Sequence, residues 1–394
     1  MDKLYSMFKT YKKLLNIKIP KNLEPIIQDQ IEKTLLRAIN GLEIAIKKDI
    51  KPSVQANKKL LYQEKYLTLY HYFPQKEKTY NVPIILIPPL MTTTDIFDLI
   101  PEHSLANTLT ENGFNVYLVD FGKPERIDSH LKIDDYILNF IYRAVHMTKK
   151  HCDAKQVTLL GYCLGGTFSI IYGSVSLDIK DDVKNVINIA GPVDLKHLPF
   201  FNLIFKPFKK EWFMLADKFG CIPKELLTII FKICDPVKYI RRPFHVLEKS
   251  WDRDFLVKYQ ALGDFFNNFQ NLPAATFKQI FEIISANGLI SGNLKLLDQK
   301  VSLSNFKANL LAFSGSKDTF IPPDSVRQVQ KYISTKDSQY AELPFGHVSI
   351  MGSEKAKPTI WKTCVDWLKD RSGDLVGNNL SKDAINHVST MMEN

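Results

Sequence analysis

Gly161-Tyr162-Cys163-Leu164-Gly165-Gly166 sets a thiol among small residues where the pattern of the chain changes. The apolar run Val157-Thr158-Leu159-Leu160 precedes it, and a helix-like stretch, Thr167 to Tyr172, follows. A strand that turns sharply into a helix at G-x-nucleophile-x-G lifts the nucleophile clear of the sheet, and the small residues make the strained turn possible. The N-terminus of a helix favours negative charge. A thiol placed there is suited to attack a carbonyl and carry the acyl group as a thioester. A cysteine in a glycine-rich turn can equally be a small buried hydrophobe, so this reading needs partner residues.

Covalent catalysis needs a base, and the base needs an orienting group. The run Asn309-Leu310-Leu311-Ala312-Phe313 reads as a buried strand leading into the turn-rich Ser314 to Pro323, with Asp318 just past the strand end. Tyr340-Ala341-Glu342-Leu343 reads as another strand, followed by Pro344-Phe345-Gly346-His347. Alone, Asp318 could be an ordinary turn residue, and His347 is one of nine histidines. Together they follow Cys163 in the order nucleophile, acid, histidine, each after an expected strand. Asp120 and Asp194 fall before the position expected of the acid, and Cys152, Cys221, Cys234 and Cys364 lack an elbow. An oxyanion needs two donors. One is the backbone N–H of Leu164, after the nucleophile. The other should come from the loop after the early strand Ile84 to Ile87, where Pro88 and Pro89 have no N–H, leaving Leu90 or Met91.

These residues require a scaffold in which strands alternate with helices, with ligand chemistry at the strand ends. Strands are expected at Leu67 to Phe73, Ile84 to Ile87, Val116 to Val119, Val157 to Leu160 and Val186 to Ala190, then at the two strands that precede Asp318 and His347. The expected fold is α/β, an α/β-hydrolase fold with a helical cap between the nucleophile and acid halves. Residues 1–59 form an N-terminal helical segment with an apolar stripe at Ile27, Ile31, Leu35, Ile39, Leu42 and Ile46. Residues 60–194 are the first half of the core. Residues 195–300, dense in aromatics such as Phe200, Phe201, Phe205, Phe208, Trp212, Phe213, Phe265 and Phe266, form the cap. Residues 301–370 complete the core, and 371–394 are a polar tail.

The 394 residues, 45% hydrophobic and 24% charged, are ordinary for a globular protein. Five cysteines without regular spacing argue against a disulfide framework. Metal-binding, phosphate-loop and dinucleotide motifs are absent from the sequence, as are a secretory signal and an apolar run long enough to span a bilayer. The net charge is +10, and residues 1–80 hold 16 Lys and Arg against 8 Asp and Glu, so most of the excess is N-terminal. A solvated basic face is the default meaning of such a bias. Nucleic acid fits it poorly, because no binding motif accompanies the charge.

The chain resembles the polyhydroxyalkanoate synthases, whose lipase-like box carries cysteine in place of serine, as Gly161 to Gly166 do. The likeness runs from about Leu60 to Leu368. It includes Ile87-Pro88-Pro89, Asp95-Ile96-Phe97-Asp98-Leu99, Val116 to Pro124, Pro192-Val193-Asp194, Ile222 to Leu227 and Ala275 to Gln279. Its length is most like the short catalytic subunit of the two-subunit class. The resemblance implies polymerisation of 3-hydroxyacyl-CoA, with 3-hydroxybutyryl-CoA the expected substrate, and Cys163, Asp318 and His347 as the catalytic residues. It implies no cofactor, CoA being the leaving group. It also implies a homodimer, a second non-catalytic subunit, and a cytoplasmic location at polymer granules. Dienelactone hydrolases share the Gly-Tyr-Cys-Leu-Gly-Gly elbow but are much shorter, and a non-catalytic granule-associated relative is the third reading. If the basic N-terminal region meets an acidic partner, deleting residues 1–50 should abolish partner or granule association while leaving a folded core. Pull-down across a salt series checks this, since charge attraction is screened over about 10 Å at 0.1 M salt. Unchanged assembly after the deletion refutes it.

Overall fold

A period of two in the apolar residues builds the centre of the molecule. In Ile84-Ile85-Leu86-Ile87, Ile84 and Leu86 join one core cluster, Ile85 and Ile87 the other, and all four are fully buried. The same split divides Val116 and Leu118 from Tyr117 and Val119, and Leu310 and Ala312 from Leu311 and Phe313. Strands that are apolar on both faces belong inside a sheet covered on both sides.

The structure, a computed structural model, describes residue 33 and residues 57–196, 198–199, 201–234 and 249–377. Eight strands form the main sheet: β1 (Lys58–Glu64), β2 (Leu67–Tyr72), β3 (Ile84–Ile87), β4 (Val116–Asp120), β5 (Val157–Tyr162), β6 (Val183–Ile189), β7 (Asn309–Gly315) and β8 (Ser338–Leu343). Their order is β1-β2-β4-β3-β5-β6-β7-β8. β1 and β2 pair antiparallel, as do β2 and β4, and the other pairs are parallel. Helices α1 (Leu105–Glu111), α2 (Tyr142–Cys152) and α3 (Leu164–Tyr172) lie between strands. Leu105 and Leu109 pack in one cluster with Trp361, while Ala144, Val145, Phe168 and Ile171 pack in the other.

Between β6 and β7 the chain leaves the sheet through α4 (Lys209–Phe219), α5 (Lys224–Cys234), α6 (Arg253–Asn267) and α7 (Ala274–Ser285). A two-residue pairing of Cys221-Ile222 with Leu272-Pro273 ties the start of α5 to the start of α7. Helix α8 (Lys362–Lys369) follows β8.

The backbone divides into two units, residues 1–51 with 237–259, and residues 52–236 with 260–394. The stretch 237–259, assigned from sequence to the cap, therefore groups with the N-terminal segment; within that unit Lys33 Nζ stands 4.7 Å from the Trp251 ring. The expected stripe Ile27 to Ile46 lies outside the described residues, as do Phe200, the side chains of Cys234 and Phe266, and the tail beyond 377. The boundary at 371 also moves. Arg371 makes a two-pronged ion pair with Asp337, and Leu375–Gly377 pairs with Lys78–Tyr80, so residues 371–377 belong to the body.

One glycine decides how closely α3 approaches the sheet. A Cβ on Gly165 would sit 2.1 Å from the carbonyl oxygen of Ile87 and 2.8 Å from that of Pro88. Neither backbone atom can yield without moving β3 or its loop. Gly165→Ala should therefore cost more than about 3 kcal/mol, beyond the usual range for overpacking. Urea denaturation of wild type and variant checks this, and a shift below about 1 kcal/mol contradicts the packing described.

Candidate active site

Cys163 occupies the turn between β5 and α3, with φ 54° and ψ −126°. Sparsely populated backbone regions cost of order 1–3 kcal/mol and persist only where the surroundings over-determine them. Here the Cys163 N–H donates to Ile189 O at 2.9 Å, and its carbonyl accepts from Gly166 N at 3.0 Å and Thr167 N at 3.3 Å. The next strand end is braced as well. The Asn188 side chain donates to Gly191 O and accepts from Gly191 N, both at 2.9 Å.

Asp318 follows β7, and its carboxylate is fully buried. One oxygen, Oδ1, accepts from Phe320 N at 2.9 Å and Ile321 N at 2.8 Å. The other, Oδ2, lies 2.7 Å from His347 Nδ1. The turn role and the orienting role suggested by sequence are thus held by one side chain, one oxygen each. His347 follows β8 with its side chain 14% exposed. Its ring is stacked on Tyr162 at 5.4 Å and met edge-on by Phe320 at 5.2 Å, and Tyr162 OH donates to its backbone carbonyl at 2.9 Å.

Burial alone would lower the His347 pKa. The Asp318 carboxylate and Cys163, acting by charge and by side-chain hydrogen bonds, outweigh it and raise the value to about 10. The imidazole therefore links the other two groups and carries a proton through the neutral range. Burial pushes the Cys152 thiol up to about 11 and raises those of Cys221 and Cys364. Asp120 and Asp194 are occupied locally, Asp120 by Gly122 N at 2.9 Å, and Asp194 by Lys196 N at 3.1 Å and Asn287 Nδ2 at 3.0 Å.

Of the expected oxyanion donors, Leu164 is the first residue of α3, so no helical carbonyl precedes its N–H at the required spacing. Met91 shares a cavity wall with Leu164 and Cys163, and its carbonyl accepts from Gln270 N at 2.9 Å. Leu90 buries its side chain in the core. The cavity has a volume of about 130 Å³ and runs under the segment between β6 and β7, where Phe201, Phe205, Phe277 and Phe281 line it. Phe208 is more than half exposed, and Phe265 belongs to the core cluster on the other face of the sheet. Sequence reasoning missed Tyr162, Phe320 and Asn188. The first two meet a histidine distant in the chain through ring contacts, which local pattern does not reveal.

Among the described residues, no three His, Cys, Asp or Glu side chains form a metal-binding group, and no helix is long and apolar enough to cross a membrane.

Residues 82–353 match the family model described as alpha/beta hydrolase fold. The chain is similar to the poly(3-hydroxyalkanoate) polymerase subunit PhaC of Haloferax mediterranei, with 28% identity over 318 residues, 79% of this chain and 64% of that protein. It is also similar to the protein of the same name from Thiocystis violacea, at 28% over 336 residues, 84% of this chain and 93% of the other. It therefore spans just under two thirds of the first relative and nearly all of the second. Among solved structures, a soluble variant of the monoglyceride lipase of Saccharomyces cerevisiae aligns with a TM-score of 0.57 at 14% identity, over 82% of this chain and 99% of that one. At that identity the likeness is one of fold.

The raised His347 pKa has a consequence for stability. Folding favours its charged form, so the contribution is complete below the ordinary value of 6.5 and is lost as pH rises through about 10. Thermal midpoints measured from pH 6.5 to 10 should fall more steeply for wild type than for His347→Gln. Parallel curves contradict the linkage.

Proposed function

The chain belongs to the alpha/beta hydrolase fold family, and on that premise we propose that it polymerises 3-hydroxyacyl-CoA into polyhydroxyalkanoate through a thioester on Cys163. The observation that carries this reading is the 2.7 Å hydrogen bond between Asp318 and His347, with Cys163 acting on the same imidazole and opening onto an apolar cavity. Similarity to poly(3-hydroxyalkanoate) polymerase subunits supports the choice of reaction. 3-Hydroxybutyryl-CoA, the substrate implied by the resemblance, is the reference substrate.

The proposed cycle begins with the Cys163 thiol proton on His347. The sulfur attacks the thioester carbonyl carbon, and the oxyanion rests on the Leu164 N–H and a second donor at Leu90 or Met91. Collapse expels the CoA thiolate, which takes the proton from His347, and the acyl group remains on Cys163. The hydroxyl of a second 3-hydroxyacyl unit then gives its proton to His347 as its oxygen attacks the acyl-enzyme. An ester bond forms and the Cys163–acyl bond breaks. Asp318 keeps the imidazole in the orientation both steps need. Cysteine suits the cycle because its acyl thioester stays reactive towards an alcohol. The walls of the cavity keep away water, which would divert the intermediate to hydrolysis. The same reading assigns the chain to cytoplasmic granules as a homodimer with a second, non-catalytic subunit.

Purified protein given 3-hydroxybutyryl-CoA should release CoA and form insoluble polymer in step. Free 3-hydroxybutyrate as the main product would instead identify a hydrolase. Cys163→Ala should abolish CoA release with an unchanged circular dichroism spectrum, and Cys163→Ser should fold yet be very weak. Asp318→Asn should slow elongation by about 10²–10⁴-fold, the range expected when general acid–base catalysis is lost. Turnover near that of wild type in Cys163→Ala would rule the mechanism out.

A further inference from the structure

We propose that the cavity beside Cys163 holds an unbranched alkyl chain of about five or six carbons, so that medium-length acyl groups are preferred to butyryl. The acyl-CoA part of this inference rests on the function proposed above; the alkyl pocket does not.

Three observations carry it. The first is size. The cavity measures about 130 Å³, and an engineered cavity of about 150 Å³ with Leu, Ile and Phe walls admits benzene, a six-carbon guest. A 3-hydroxybutyryl group extends only a methyl beyond its hydroxyl-bearing carbon and would leave most of that space empty. The second is chemistry. The walls are hydrocarbon apart from Cys163, Thr167 and the weakly polar thioether of Met91, and the Thr167 hydroxyl already donates to Pro192 O at 2.7 Å. Water would find no partner here, and neither would the ester carbonyls of a growing polyester, so the walls select an aliphatic group over the polymer itself. The third is rigidity. Phe201 and Phe281, two of the wall residues, are buried with their rings 4.8 Å apart, and Phe277 packs beside them. The cavity is therefore framed by packed rings, and shrinking it to fit a methyl would mean repacking them.

Each added methylene that leaves water for such a pocket is worth about fourfold in affinity. The kcat/KM for CoA release by the full-length protein should therefore be about 10²-fold higher with 3-hydroxyoctanoyl-CoA than with 3-hydroxybutyryl-CoA. Ile284→Phe, which fills the cavity from α7, should lower that ratio by tenfold or more. Phe281→Ala, which enlarges it, should raise the ratio of dodecanoyl to octanoyl.

A second measurement does not depend on the polymerase reading. Alkyl methanethiosulfonates, from methyl to dodecyl, react when the Cys163 sulfur attacks the sulfenyl sulfur; a disulfide forms and methanesulfinate leaves. Modification at Cys163, followed by peptide mass spectrometry and referred to the urea-unfolded chain, should quicken up to about hexyl. A rate that is flat or falls with length overturns the pocket, whatever the acyl-CoA series shows. If the alkyl series peaks while no 3-hydroxyacyl-CoA releases CoA, the pocket stands and the polymerase reading fails. If CoA is released with butyryl preferred and the alkyl series is flat, the pocket fails and the polymerase reading stands.

Discussion

Cys163 keeps a backbone conformation that residues with a side chain avoid, and its neighbours are arranged to hold it there. Its N–H is tied to Ile189 at the end of β6, and its carbonyl is tied into the first turn of α3. α3 can take up that position only because Gly165 lets its first turn press against the carbonyls of Ile87 and Pro88. Strain at one residue is thus set against the pairing of three parallel strands. If the turn relaxed, it would pull β5 out of register with β3 and β6 together. The loop that carries Leu90 and Met91 begins at the same contact, so the geometry that fixes the nucleophile also sets the place of the expected oxyanion donors.

The electrostatics follow from the same parallel strands. β7 and β8 end side by side, which puts Asp318 and His347 within 2.7 Å although 29 residues separate them. Asp318 spends one oxygen on two backbone N–H groups and so cannot rotate; the other oxygen is left for the imidazole. Tyr162 and Phe320 then restrict the ring from its faces and edge. Asp318 and Cys163 draw charge onto an imidazole that burial alone would keep neutral. On the reading proposed here, that is the group that passes a proton to the departing thiolate.

Much of this could be read from residue types. Ile84 to Ile87 and Leu310 to Phe313 are short, continuously apolar runs next to turn residues, and they became central strands. Asp318 and His347, each expected after a strand, are side chains that meet in space. What escaped the reading depends on long-range partners. Nothing local to Arg371 marks it as the partner of Asp337, so the polar stretch after 370 read as a tail although its first residues are pinned to the body. β1 begins at Lys58, inside the segment read as helical, because its exposed lysines hide the alternation that pairing with β2 imposes. The aromatic segment read as a cap turned out to have two surfaces. Phe201 and Phe281 face a cavity, while Phe208 faces solvent, and composition cannot tell one surface from the other.

The cavity and the catalytic line constrain each other. The Asp318 carboxylate is satisfied by two backbone N–H groups and the imidazole, and of the three groups it is Cys163 that lines the cavity. The Asp318 carboxylate and Cys163 outweigh the burial that would otherwise lower the His347 pKa. In the proposed cycle, a wall residue exchanged for a polar one would admit water beside Cys163 and expose its acyl thioester to hydrolysis. On the reading proposed here, the apolar character of Phe201, Phe277 and Phe281 thus has two consequences from one cause. It recognises an alkyl chain, and it keeps water from an acyl group carried on Cys163.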